Sequence, residues 1–176
     1  MKKYPASMII AHWLTVILLI VNAYMGLKLE ELEKTRGLTP ETFGNFKTHA
    51  LIGALILLIT LFRMFIKRKN AGRLPQLQYY SEGHKKIVNT VHALMYLLLI
   101  LIPIVGMLNM YQAGVFGVCF GKEFPENATL SHTLHEIHEL LVKLLLVLVI
   151  AHVAGVIRYI LKTKENIFKR MCLLAK

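Results

Sequence analysis

Apolar residues form four long runs along the chain, separated by shorter polar and charged segments. The runs cover residues 6–27, 46–66, 87–111 and 134–161. Each reaches or exceeds the roughly 20 residues that an α-helix needs to cross the hydrocarbon core of a bilayer. The pattern therefore predicts an all-α fold, an integral membrane bundle of four transmembrane helices that forms one domain over residues 1–176.

Charge is distributed unevenly between the two ends of the predicted helices. The formal net charge is +11, with 21 lysines and arginines and ten acids. When both termini are placed in the cytoplasm, fifteen basic residues lie on the inner side: Lys2, Lys3, Arg63, Lys67, Arg68, Lys69, Arg73, Lys85, Lys86, Arg158, Lys162, Lys164, Lys169, Arg170 and Lys176. The outer side then holds eight of the acids: Glu30, Glu31, Glu33, Glu41, Glu123, Glu126, Glu136 and Glu139. This pattern predicts cytoplasmic termini and contact with anionic lipid, and it argues against nucleic-acid binding.

Two features of the connecting segments follow from this topology. The segment from Lys28 to Asn45 is polar, and Gly37 and Pro40 mark turns in it, so we expect an outer loop there. Cys119 and Cys172 fall on opposite sides of the membrane. We therefore expect two free thiols and no disulfide between them.

The histidines are the main candidate functional residues. Three of the eight histidines, His84, His132 and His135, lie in loops or at interfaces, and for His132 and His135 at the start of the fourth run helix capping, water and a haem carboxylate are all open as partners. The other five lie within the predicted spans: His12, His49, His92, His138 and His152. Ionisable residues inside a membrane are costly and usually functional.

His138 and His152 stand fourteen residues apart in the fourth apolar run. Fourteen residues of α-helix turn by about 1400°, which leaves the two side chains about 40° apart on one face, and they rise by about 21 Å. One helix thus offers an imidazole at each of two depths. Neutral imidazole is a common axial ligand of haem iron, so the pair favours two stacked haems, each held by two histidines.

The predicted depths of these histidines in the membrane indicate which of them bind the same haem. His12 and His152 lie about 13.5 and 15 Å from the nearest inner lysines, which predicts that they bind one inner haem. His49 and His138, near the outer ends of their helices, would bind the outer haem, with a depth mismatch of about 9 Å for helix tilt to absorb. His92 competes for the inner site, as a ligand in place of His12 or as a contact to a propionate or a quinone.

Basic residues near the histidines are candidate partners for haem propionates. Arg63 and Arg158 are placed to serve the inner haem, with simple extension toward the interface as the alternative. Lys143, five residues past His138, either extends outward or faces an outer propionate or a bound anion. His135 is a further candidate contact to a cofactor carboxylate.

With these residues in place, the chain resembles the prokaryotic cytochrome b561 family over nearly its whole length. The resemblance rests on AHWL around His12, THALIG around His49, VHALMYLLL around His92, IPIVGMLNMYQAG, the His138 and His152 pair, and the tail KENIFKRM. It implies two haem b groups, with His12 and His152 binding the inner one and His49 and His138 the outer one. It also implies that His92 is free for quinone or propionate contact.

The resemblance further implies electron transfer across the bacterial inner membrane, linked to the quinone pool. Small members of the family resemble a superoxide:quinone oxidoreductase, so superoxide or a redox partner protein is the expected donor. The alternatives are a cytochrome b subunit that anchors a dehydrogenase or hydrogenase and relays its electrons and, more remotely, a histidine-lined metal transporter. Membrane lipid and quinone are the expected partners, and association with a second copy is left open.

Overall fold

The computed structural model describes residues 3–75 and 81–173, and this part of the chain contains four long α-helices and no β-strand. Helix α1 spans Ala6–Arg36, α2 spans Pro40–Lys69, α3 spans Glu82–Gln112 and α4 spans His132–Thr163. Each is long and apolar enough to cross a membrane. The prediction of an all-α bundle with four spans is therefore confirmed. The orientation of the termini stays a prediction, and Lys2 and Lys176 of the basic set lie outside the described residues.

The expected outer loop from Lys28 to Asn45 was wrong in extent. The chain leaves the helical conformation only between α1 and α2, where Gly37 has a φ of +68° and Thr39 caps α2 through Thr42. Pro40 occupies the first helical position, where its missing N–H costs nothing. The polar residues on either side stay helical, and ion pairs between residues three and four apart, such as Lys34 with Glu30, support them.

The four helices are arranged as two antiparallel hairpins. Helix α1 packs along α2, α3 packs along α4, and a smaller contact between α2 and α3 joins the two hairpins. The joint is apolar and includes the buried side chains of Ile56, Leu98, Leu99 and Leu145. The backbone of α4 packs mainly on that of α3, and α4 meets α1 and α2 through side chains such as Leu145, which shares a buried cluster with Ile56.

The outer connection between α3 and α4 folds onto the ends of the helices. Phe43, Met110, Ala113 and Val115 form a small apolar core beneath it. Asn109 accepts a hydrogen bond of 2.8 Å from the N–H of Ser131, and the Ser131 hydroxyl caps α4. The connection therefore fixes the outer start of the helix that carries His138 and His152.

The C-terminal segment folds back over the start of α1. The indole of Trp13 donates a 2.8 Å hydrogen bond to the carbonyl of Met171, and Glu165 accepts hydrogen bonds from Arg170 and from the Tyr159 hydroxyl. The Arg170 guanidinium and then the Tyr159 hydroxyl hold the pKa of Glu165 below its usual value. Trp13 thus links AHWL to KENIFKRM. Cys119 and Cys172 are both free thiols, as expected.

Candidate cofactor site

Helices α3 and α4 bring two matched pairs of positions together. The rings of His92 and His152 meet edge to face with centroids 5.1 Å apart. One level further out, Nδ1 of His138 lies 3.0 Å from the carbonyl oxygen of Ile102, and a Cβ on Gly106 would lie only 3.2 Å from its ring. The fourteen-residue spacing of the α4 histidines therefore recurs on α3, as His92 and Gly106.

The outer level joins His138 to a histidine of the other hairpin. The rings of His49 and His138 have centroids 6.2 Å apart at an interplanar angle of 67°. Since a histidine nitrogen sits about 2 Å from the transition metal it binds, two rings on opposite sides of one metal ion have centroids about 6 Å apart. The His49 and His138 rings thus have the separation that a shared axial metal requires. Gly26 of α1 lies beside His49, and a Cβ there would be 3.5 Å from the ring.

The inner level holds a denser cluster. His12 lies near enough to His92 and His152 to interact with both electrostatically. Its Nδ1 lies 3.1 Å from a guanidinium nitrogen of Arg63. The structure thus gathers the two predicted inner ligands, the competitor His92 and one of the two predicted propionate partners.

Tyr96 of α3 lies beneath two cations of α2. The guanidinium carbon of Arg63 is 5.6 Å and the ammonium of Lys67 is 5.4 Å from the centre of its ring. No described acid forms an ion pair with either cation. Tyr96 was not among the residues predicted from the sequence, although its position four residues after His92, one helical turn away, was a usable signal.

The residues present fit a haem between the hairpins. The backbone of α4 packs closely on that of α3 and has few close approaches to α1 and α2, so the histidine side chains that meet between the hairpins are the candidate haem ligands. His49 Nδ1, Asn22 Oδ1 and Arg63 Nε are buried without a hydrogen-bond partner. Such atoms are costly in a folded protein, and a polar group bound nearby satisfies them. Within residues 3–75 and 81–173 no three or more histidine, cysteine, aspartate or glutamate side chains are arranged so that they could hold one metal ion.

Three of the predicted contact residues lie away from this arrangement. Lys143 is exposed and forms an ion pair with Glu139 one turn before it. His135 has its Nδ1 3.5 Å from the carboxylate of Glu33, so it links α4 to the outer end of α1. Arg158 is exposed and lines a shallow surface groove. Of the two arginines proposed for propionates, only Arg63 therefore lies in the histidine cluster.

The model of the prokaryotic cytochrome b561 family matches residues 3–172. A protein of Yersinia pestis described as probable superoxide oxidase CybB is 28% identical over 179 aligned residues, which cover 97% of this chain and 96% of that protein.

Proposed function

Because the chain belongs to the prokaryotic cytochrome b561 family, and is thus a membrane cytochrome b that transfers electrons, we propose that it holds two haem b groups and delivers electrons to quinone. The observation that carries the proposal is the 6.2 Å separation of the His49 and His138 rings across the gap between the hairpins. We place the protein in the bacterial inner membrane with both termini in the cytoplasm, on the distribution of its basic residues.

We assign His49 and His138 as the axial ligands of the outer haem, and His12 and His152 as those of the inner one. Each pair joins α4 to the α1–α2 hairpin, and the outer pair has its rings 6.2 Å apart. The two α4 ligands differ in height by about 21 Å, which stacks the two sites through the membrane. The buried apolar side chains of Leu98, Leu99 and Leu145 between the levels exclude water from the path.

His92 takes a different role in this assignment. Its Nδ1 lies 2.7 Å from the carbonyl oxygen of Val88, and its ring packs on His152 within the close α3–α4 contact. No macrocycle fits between two helices packed that closely, so we assign His92 to contact with quinone or a propionate. Because Nδ1 donates to Val88, Nε2 accepts from a quinol hydroxyl when His92 is neutral and donates to a quinone or propionate oxygen when His92 is protonated.

Arg63 holds an inner propionate in this scheme. Its guanidinium lies beside His12, and its buried Nε has no partner within the described residues. Lys67, on the same Tyr96 ring, adds a second positive charge. Lys143 pairs with Glu139, and His135 pairs with Glu33. We therefore assign Lys143 and His135 to ion pairs at the outer end of the bundle and not to haem or quinone binding. Arg158 serves the inner membrane surface.

When bound, haem supplies the one-electron redox chemistry, and the protein sets its potential by axial ligation, hydrogen bonding and burial. For the electron donor we propose superoxide at the outer face, because the similar Yersinia pestis protein is described as a probable superoxide oxidase. Its alignment covers 97% of this chain, which favours a protein of that compact type over a subunit that anchors a dehydrogenase.

The decisive experiment is a haem-to-protein ratio with a reduced-minus-oxidised spectrum of the detergent-purified protein. We expect two b haems per chain with sharp low-spin bands. One haem or none would overturn the proposal. The donor is tested separately, by quinone reduction in proteoliposomes exposed to an enzymatic source of superoxide. A rate no higher than that of protein-free liposomes, in a preparation with two haems, would refute superoxide alone.

A further inference from the structure

Helices α1 and α2 pair in one antiparallel register through the membrane. His12 of α1 lies against Arg63 of α2, and Gly26 of α1 lies against His49. Between these levels Asn22 faces Gly53, and a Cβ on Gly53 would lie 3.7 Å from the amide nitrogen of Asn22. The glycine thus leaves room for a polar side chain in an otherwise apolar contact.

Asn22 is the unexplained polar residue of this contact. The hydroxyls of Thr15 and Thr60, also buried in α1 and α2, donate to carbonyls four residues before them. The side-chain oxygen of Asn22 is buried and accepts no hydrogen bond. An amide in a membrane span without a partner is costly, so its presence indicates a group for it to bind.

A complementary atom lies on the neighbouring helix. Three of the intramembrane histidines have an Nδ1 atom with a close polar neighbour: Arg63 for His12, Val88 for His92 and Ile102 for His138. Nδ1 of His49 is buried and has no hydrogen-bond partner, while the main chain of Asn22 lies close enough to the His49 ring for a hydrogen bond. An orphaned ring nitrogen and an orphaned amide oxygen therefore belong to residues in contact.

We propose that Asn22 is a positioning residue of the outer haem site: with haem bound, its side-chain oxygen would accept a hydrogen bond from the Nδ1–H of His49, because both atoms are buried and neither has a partner in the structure. This inference rests on the proposed function, in which the Nε2 atom of His49 binds the iron. A histidine bound to a metal donates its other N–H to an acceptor that fixes the ring and raises its basicity. A more basic ligand favours the oxidised iron, so Asn22 lowers the potential of the outer haem.

The test is a potentiometric titration of purified protein that carries Asn22→Leu, which is similar in size and has no acceptor. We expect both haems to be retained and the midpoint of the outer one alone to rise. Loss of a supporting partner typically weakens a metal site by about tenfold, and a tenfold change in the oxidised-to-reduced preference is about 59 mV for one electron. The wave that disappears in His49→Ala identifies the outer haem.

Thr15→Val is the matched control, because it removes a buried hydroxyl from the same face of α1 that already has its partner. The midpoint potential of the outer haem in Thr15→Val should stay at the wild-type value. Asn22→Ala provides a second route if the leucine does not fit. Loss of the outer haem alone in both variants would support the role in holding His49.

An unshifted outer midpoint in a variant with two haems would overturn the inference and leave the proposed function intact. An equal shift of both waves, or equal loss of both haems, would also overturn it, because Asn22 would then serve only packing. A wild-type protein without two haems would instead refute the proposed function.

Discussion

His152 on α4 lies against His92 on α3, with ring centroids 5.1 Å apart. Fourteen residues away on each helix, His138 lies against Gly106. Both histidines of α4 therefore face α3, but they meet different groups there. His152 meets a second imidazole, whereas His138 meets a glycine without a side chain. This difference separates the roles that we expect for His92 and Gly106.

His152→Ala should remove the inner haem and leave the outer one, because we assign His152 as the α4 ligand of the inner haem. The haem-to-protein ratio should fall from two to one, with loss of one wave in a redox titration. His132→Ala is the control, since His132 is exposed in the first turn of α4 and pairs with Glu136. Retention of both haems in His152→Ala, or loss of the outer one, would contradict the pairing.

His92→Ala should keep both haems and slow quinone reduction, because its ring lies beside a ligand in a contact too close for a macrocycle. Stopped-flow oxidation of the reduced protein by a short-chain quinone measures the rate, and a loss of tenfold or more is expected for a general acid–base or binding contact. Loss of one haem would instead make His92 an axial ligand.

Gly106→Ala should weaken the outer haem site. The new Cβ would lie 3.2 Å from Cε1 and 3.4 Å from Nδ1 of His138, so the ring must move. Overpacking of this kind costs about 1–3 kcal/mol. Gly155→Ala is the matched control on α4, because nothing lies within 4 Å of its Cβ. Haem occupancy after heating should fall in the first variant and stay unchanged in the second. Equal occupancy in both would rule out the steric role of Gly106.

The C-terminal fold-back should lose stability in acid. In the folded state Arg170 lowers the pKa of Glu165 below 4.5, so the carboxylate contributes stability above that pH. The contribution disappears as the pH falls through the lowered pKa. Glu165→Gln should therefore lower the melting temperature at pH 7, and the difference from wild type should vanish in acid. Glu82→Gln, which breaks an exposed pair with Lys85, is the control. A difference that persists in acid would show that the charge of Glu165 is not its cause.

The spans and the intramembrane histidines were readable from the sequence because a bilayer demands long apolar runs and makes every ionisable residue within them conspicuous. The number of residues between each histidine and the nearest inner lysine predicts the depth of that histidine in the membrane. Depth alone does not predict which helices pack against each other. His92 and His12 lie at similar depths, and only the packing of α3 on α4 separates them. Arg158 looked equivalent to Arg63 for the same reason. The helical extensions beyond the membrane were missed because polar composition was equated with a loop.

The backbone of α4 packs mainly on that of α3, which gives the cofactor a part in assembly as well as in redox chemistry. In the proposed assignment each haem would be ligated from both hairpins and would crosslink them, so haem binding would add directly to the stability of the joined bundle. Haem-free chains would then be the loosest and the most readily degraded. The amount of this cytochrome in the membrane would accordingly follow the supply of haem.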